Sequence, residues 1–515
     1  MSIIILGELH GWHKATASER VVRIATEAFQ DQADPTPWWP VLRSTGGWTL
    51  AATAPGETDG ATKADVGELV LDERPPKADR FGISKLTELL DGLSVVGWPL
   101  HLYALDRDEC DITRRVPLAV LTIGELERRT YSRVLRPRDR TADFDTIRAA
   151  GPGVYAGTGG AEGPPALASV GKELLIGRHR HLEPTYLGMD PANGCHLYSV
   201  SQGLPMGGYT EVRSRGRVWP EVAGVPASGR WMQDAARGLL WVGPGDVGTI
   251  TCAAGGVVDQ AGTVIETAGA AAAWLARHSG ALTAAEIDAA ALVAGANRPV
   301  CLWLRAGDPT SLRSAMDDLT RSVRVHWYLN PMGALTFARG GRPTDEPPSA
   351  MLRAGVDFIT TVTEDRVSGI PPRTVRVRYA RNDKVLSAND MVTEVSPEDR
   401  AALMAEWLEE VSPDDPDLVA ACPIPREEPV DTRLSTSAAA AAEAVERRND
   451  GWDPPARHKL PLKRLPTEHI GQIVTVIDAE HPDVGAAGRL GRIAEVKVDL
   501  SGEDNAVWVI LGGAA

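Results

Sequence analysis

The sequence predicts a mixed, β-rich α+β protein of several domains. Three observations carry that expectation. The chain has 515 residues, and a domain usually takes about 100–200. It holds 51 Gly and 37 Pro, which favours many short strands and turns over long helices. Apolar runs of strand length recur between Gly, Pro, Asp and Asn, while helical patterns are confined to two stretches. Hydrophobic residues make up 43% of the chain, enough for real cores.

The predicted order is as follows. Residues 1–150 form an N-terminal β-rich domain, with strands over Ser2–Glu8, Gly67–Asp72, His101–Leu105 and Val116–Ile123. Trp38 and Trp39, held between Pro37 and Pro40, mark a rigid extended piece. Leu86–Leu93 reads as a short helix or turn. Residues 151–260 form a β-rich middle domain, entered by a Gly/Pro/Ala linker over 151–170. Residues 261–345 form an αβ section. It has an Ala-rich helix over Thr263–His278, a capping box at Thr283–Glu286 opening a helix to Ala294, and a helix over Ser311–Val323. A strand–turn–strand follows through Asn330-Pro331-Met332-Gly333. Residues 346–458 carry strands plus helices: strands Phe358–Val362 and Val375–Tyr379, a helix from Ser396 through Trp407 to Val411, and a helix over Ser437–Arg448. The acidic, Pro-rich Ser412–Thr432 between those helices reads as a linker or exposed loop. Residues 459–515 form a C-terminal antiparallel β-unit with strands near Gly471–Asp478, Gly491–Val498 and Ala506–Leu511.

Charge and cysteine usage narrow the function classes. A net charge of −15 argues against a nucleic-acid clamp, which needs basic surface to neutralise phosphate. It suits a surface past which DNA slides without sticking. The five cysteines are widely spaced and odd in number, with no CxxC, so neither a zinc site nor a disulfide framework is indicated and a reducing compartment fits. The N-terminus lacks the pattern of a signal peptide, and no apolar run is long enough to span a membrane.

Chemistry-bearing motifs are few. Gly157–Gly163 resembles a phosphate loop but lacks the Lys-Ser/Thr ending, and Pro164-Pro165 deny it a helix N-terminus. His179-Arg180-His181 and His10–His13 have workable ligand spacings but read as exposed polar segments. The Arg/Asp alternation of Val134–Asp145 reads as a salt-bridged turn after a strand. No HExxH, GxSxG or Walker motif occurs. The expectation is therefore a non-enzyme with no cofactor and no metal.

Several phrases, in order along the chain, resemble the hub or baseplate structural proteins of long-tailed, siphovirus-like DNA phages and gene transfer agents. They are Val134–Asp145; Val170–Gly177, Pro184–Leu187 and Gly238–Gly255; Trp327–Arg339; Val375–Asn382; and Ile470–Asp478 with Gly488–Ile493, Asp499-Leu500 and Val507–Gly512. The resemblance implies β-barrel-like hub domains and a virion protein of the tail tip, assembled in the host cytoplasm. Implied partners are copies of itself in a trimeric ring, distal tail and tube proteins, and fibre or tip proteins, with DNA only as passing cargo during ejection. The alternatives are a receptor- or carbohydrate-binding fibre base involved in host attachment, and a tail-associated cell-wall hydrolase. Fourteen Trp against five Phe direct attention to Trp38, Trp39, Trp241 and Trp327 as interface or core anchors.

Overall fold

The computed structural model describes residues 3–512 except 31–33, 35, 52–59, 62, 74–85, 87–89, 91, 109–110, 289–297, 344–346, 364–371, 422–425, 453–455 and 500–503. The fold is β-rich α+β. The chain divides into two units: Met1–Asp143, His326–Val367 and Pro455–Ala515 in one, Phe144–Val325 and Ser368–Pro454 in the other.

The first unit contains two large sheets. In one, the strands run in the order Ser18–Ala25, Ile3–His13, Pro99–Asp106, Val116–Arg128, Ser132–Asp139, Leu69–Asp72, Leu42–Thr45. Side chains alternate between faces along a strand. Accordingly Ile5, Leu9, Leu100, Leu102 and Leu121 build one core, while Ile4, Leu6 and Leu105 join Phe29 and Trp38 in a smaller one behind it. Arg136 is ion-paired to Glu68, Glu125 and Glu127, and Arg138 to Asp143, as the salt-bridged reading of this segment expects.

The second sheet is built on the C-terminal strands Arg457–Pro461, Ile473–Asp478, Gly485–Val498 and Ala506–Leu511. It is not made by the C-terminal segment alone. Ala350–Arg353 adds a parallel edge to Ile473–Asp478. The long strand Gly485–Val498 pairs first with Ile473–Asp478 and then, beyond an irregularity at Ile493/Glu495, gives its last residues to Trp48–Ala51. Every residue of Ala506–Leu511 is buried, as a central strand covered on both faces requires.

In the second unit two four-stranded sheets share one core. Leu182, Val212, Ile250 and Cys252 come from the sheet of Arg178–Leu182, Ile250–Val257, Met206–Ser214 and Arg217–Trp219. Tyr198, Trp231, Leu240 and Val242 come from the sheet of Thr185–Met189, His196–Ser199, Leu239–Val242 and Trp231–Asp234. This is sandwich packing. Gly177 makes the turn between strands Leu174–Ile176 and Arg178–Leu182 at φ +72°, where a Cβ would lie 1.9 Å from the Val300 carbonyl oxygen, so only glycine fits.

Several local expectations are corrected. The Ala-rich helix starts at Ala268, not Thr263. The Thr283–Glu286 capping box forms but caps one 3-10 turn, Ala284–Glu286; residues 289–294 of the expected helix lie outside the described residues, as do 87–89 and 91 of Leu86–Leu93. The helix opened by Ser396 ends at Met404. Leu408–Val411 is instead a strand, held against Thr374–Tyr379 by cross-strand pairs of Arg376 and Arg378 with Glu409. The supposed linker Ser412–Thr432 carries helix Pro416–Ala421 and strand Glu427–Asp431, parallel to Thr374–Tyr379. Residues 151–170 hold two 3-10 turns and bury Tyr155. Of Phe358–Val362, only Val362 falls in a regular strand, the two-residue Val362–Thr363.

Candidate recognition surface and buried polar clusters

The four tryptophans occupy different surroundings. Trp38 and Trp327 are 1% exposed and Trp241 8%; their rings are spent on the cores of this chain, where a large apolar body has most to gain. Trp241 also donates its indole N–H to Asp190 at 2.9 Å. Trp39 is half-buried at the end of the first sheet, its backbone bonded to Arg23 and Ala25.

The outer face of the N-terminal sheet carries a feature that inspection of single motifs misses. Strand Ile3–His13 alternates, so Glu8, His10 and Trp12 continue the face begun by Ile4 and Leu6. The small core behind Ile4 and Leu6 does not reach them. Neighbouring Pro99–Asp106 sets His101 opposite Glu8. The result is a row of rings. Trp12 stacks on Trp98 at 6.5 Å, His10 lies 4.9 Å from His101, and His101 lies 6.5 Å from Tyr103. Trp12 is 42% exposed. The expected polar segment at His10–His13 is thus strand, with His10 Nδ1 2.7 Å from Glu19. The alternation Glu8, His10, Trp12 was the available signal.

The row ends at a cleft of about 480 Å³ lined by Glu8, Arg23, Asp34, Trp38, Tyr103 and Arg115 among others. Both guanidinium groups there are engaged. Arg115 lies 4.0 Å over the Tyr103 ring and 3.2 Å from Glu8; Arg23 lies 5.3 Å over Trp38 and 2.5 Å from Asp34. The Thr36 backbone N–H, then Arg23, lower the Asp34 carboxyl to about 2. Burial, then Glu8, raise the Tyr103 phenol to about 12. Glu8 accepts the Tyr103 hydroxyl at 3.0 Å, so each cleft carboxylate faces a guanidinium partner. This is a pre-formed polar cleft of paired charges at one end of a row of rings whose other end carries the exposed Trp12.

His179 and His181, expected in an exposed loop, are buried on strand Arg178–Leu182 at 5% and 2% exposure. Tertiary packing moved them: His179 Nδ1 sits 3.2 Å from Asp383, with Cys301 close by and itself 3% exposed. Cysteine, histidine and aspartate in that order suggest a nucleophile array. The thiol's burial leaves no approach for a substrate, so the group reads as core polarity. Burial first, then the charges of Arg213 and Arg180, push His181 down to about 4. Its folded value lies below the ordinary value of 6.5, so the unfolded chain binds the extra proton first. Stability should therefore fall as pH drops from about 6.5 toward 4. Urea midpoints at pH 7.0 and 5.0 check this, and a His181→Gln variant should show a smaller drop between the two pH values.

A second group brings together His458, His481 and Asp483 in the first unit, one ligand-type atom from each lying within 4.8 Å of the others. Among the described residues no helix is long and apolar enough to cross a membrane.

No protein-family model matches the chain, and no curated protein does. Solved structures with similar coordinates include three tail or virion proteins. The 43 kDa tail protein of prophage MuSo2 from Shewanella oneidensis has TM-score 0.36 and 10% identity, over 99% of this chain and 98% of that one. The tail protein from Neisseria meningitidis MC58 has TM-score 0.37 and 10% identity, over 99% and 96%. A chain of the native gene transfer agent virion has TM-score 0.40 and 14% identity, over 67% and 84%. Likenesses this distant fix neither the family nor the role of the chain.

Proposed function

We propose that the chain is a structural subunit of a phage or gene-transfer-agent tail: a hub-like component of the tail tip or baseplate that connects the distal tube to host-contacting proteins. The observation that carries this reading is the ordered set of sequence phrases, several of which fall on strands and turns among the described residues. Val134–Asp145 covers the end of strand Ser132–Asp139 and its 3-10 turn. Trp327–Arg339 covers the strand–turn–strand of Val325–Leu329 and Leu335–Arg339. Val375–Asn382 covers strand Thr374–Tyr379 and the Asn382 side chain, which caps two backbone carbonyls of the following segment. Ile470–Gly512 covers three strands of the second sheet. The net charge of −15 supports a channel wall that repels passing DNA.

In this role function resides in interfaces between copies and neighbours. Native mass measurement and particle imaging test it: a closed ring, trimeric by the resemblance, with density at the distal end of the tube is expected. A stable monomer absent from the tube axis would overturn it. A second reading, a glycan-binding fibre base, is favoured by the exposed Trp12 ring, stacked on half-buried Trp98 at the end of the ring row away from the polar cleft. It requires that Trp12→Ala abolish binding to host envelope glycans.

A further inference from the structure

We propose that His458, His481 and Asp483 form a site for a divalent transition cation of the Zn²⁺ class, clamping the turn after strand Ile473–Asp478 to the sheet beside it. This rests on side chains inside the first unit and is independent of the tail reading.

Two imidazoles and one carboxylate are a donor set that suits zinc. One ligand-type atom from each lies within 4.8 Å of the others. Donors about 2.0–2.1 Å from a tetrahedral zinc stand roughly 3.4 Å apart, a spacing that the half-exposed turn side chains His481 and Asp483 can close to.

The surroundings are built rather than incidental. His458 is 2% exposed on strand Arg457–Pro461, directly opposite Thr363. His481 starts a turn fixed at both ends: its N–H donates to Asp478 O, and its carbonyl accepts from Val484 and Gly485. The rings meet edge to face, centroids 5.6 Å apart. The Thr363 hydroxyl oxygen lies 3.2 Å from His458 Nδ1 and 2.9 Å from His481 Nε2. One oxygen thus orients both rings, as oxygen partners do behind metal-ligating histidines. With Thr363 on Nε2, the His481 nitrogen left for an ion is Nδ1, which accepts the Asp483 N–H at 3.3 Å, a long contact that the ion would displace. Among the described residues the Asp483 carboxylate has no cationic side-chain partner, so a cation would neutralise it. Asp478, 3% exposed and accepting N–H groups from Thr361 (2.9 Å) and Glu480 (3.2 Å), anchors the turn and adds negative potential.

The test is a calorimetric titration of the chelator-treated full chain with zinc chloride, paired with the visible spectrum after cobalt(II) addition. One equivalent of zinc and the d–d bands of a tetrahedral cobalt site are expected. His481→Ala and Asp483→Asn, both on half-exposed turn positions that spare the core, should remove the cobalt bands. Thr363→Val, which removes the orienting oxygen, should weaken zinc binding on the order of 10- to 100-fold. Absence of zinc uptake overturns the proposal. So does uptake of equal affinity in the His481→Ala/Asp483→Asn double variant, which would place the ion elsewhere.

Discussion

Replacing Glu443 by Gln should destabilise the protein by about 3–5 kcal/mol, the range for breaking a buried ion-pair network from one side. Glu443 lies on helix Ser437–Trp452, and its side chain is fully shielded from solvent. It is surrounded by three guanidinium groups. Arg447, one turn on, has Nε 2.7 Å from its Oε1; Arg324 Nε lies 3.2 Å from the same oxygen; Arg298 contacts Oε2. Glu446 and Asp450, along the same helical face, take the other ends of Arg298 and Arg324. Gln keeps the shape and loses the charge, so three cations remain against two carboxylates, with Arg324 only 8% exposed. The urea midpoint of the transition that melts this helix measures the effect. Glu446→Gln, at a carboxylate 33% exposed, should cost far less, because water compensates what the partner loses. An unchanged midpoint in Glu443→Gln would show that the network carries no stability.

Replacing Trp327 by Ala should cost about 3–5 kcal/mol, the usual range for emptying a buried aromatic site. Trp327 is 1% exposed on strand Val325–Leu329, next to Tyr328 at 3%. The two readings of this residue separate cleanly. A core anchor lowers the denaturation midpoint of the isolated chain. An interface anchor leaves that midpoint unchanged and weakens assembly instead. The burial predicts the first outcome, and midpoints measured beside native mass distinguish them.

Much of the architecture was legible because it is local. Ser396 followed by Pro397 gave the start of a helix, and the Ser396 hydroxyl does accept the Asp399 N–H at 3.0 Å. The alternation of Val375, Val377 and Tyr379 gave a strand with one buried face. Leu408–Val411 was misread because its residues suit a helix as well as a strand. The choice was made by Arg376 and Arg378, thirty residues earlier, which supply the opposing charges. Propensity is a weak prior that such tertiary contacts override. Glu427–Asp431 was hidden by its Pro429 and its charges, which an edge strand tolerates.

The candidate sites were less legible for the same reason. His458, His481 and Thr363 come from a strand, a turn and a separate short strand, and no spacing rule joins positions 95 to 118 residues apart. His179 and His181 alternate as exposed residues would, yet both are buried, His179 against Asp383 and Cys301 from distant segments.

The sequence by itself determined the β-rich class, the acidic balance, most strands and the helix starts at Ser311, Ser396 and Ser437, because each depends on residues within a turn or two of one another. The tertiary structure decided which strands share a sheet, that Trp48–Ala51 completes the sheet of the C-terminal strands, and which tryptophans are core. Those outcomes depend on hydrogen bonds and apolar burial between segments hundreds of residues apart, whose pairing is chosen by the whole chain's packing and is written in no single stretch of it.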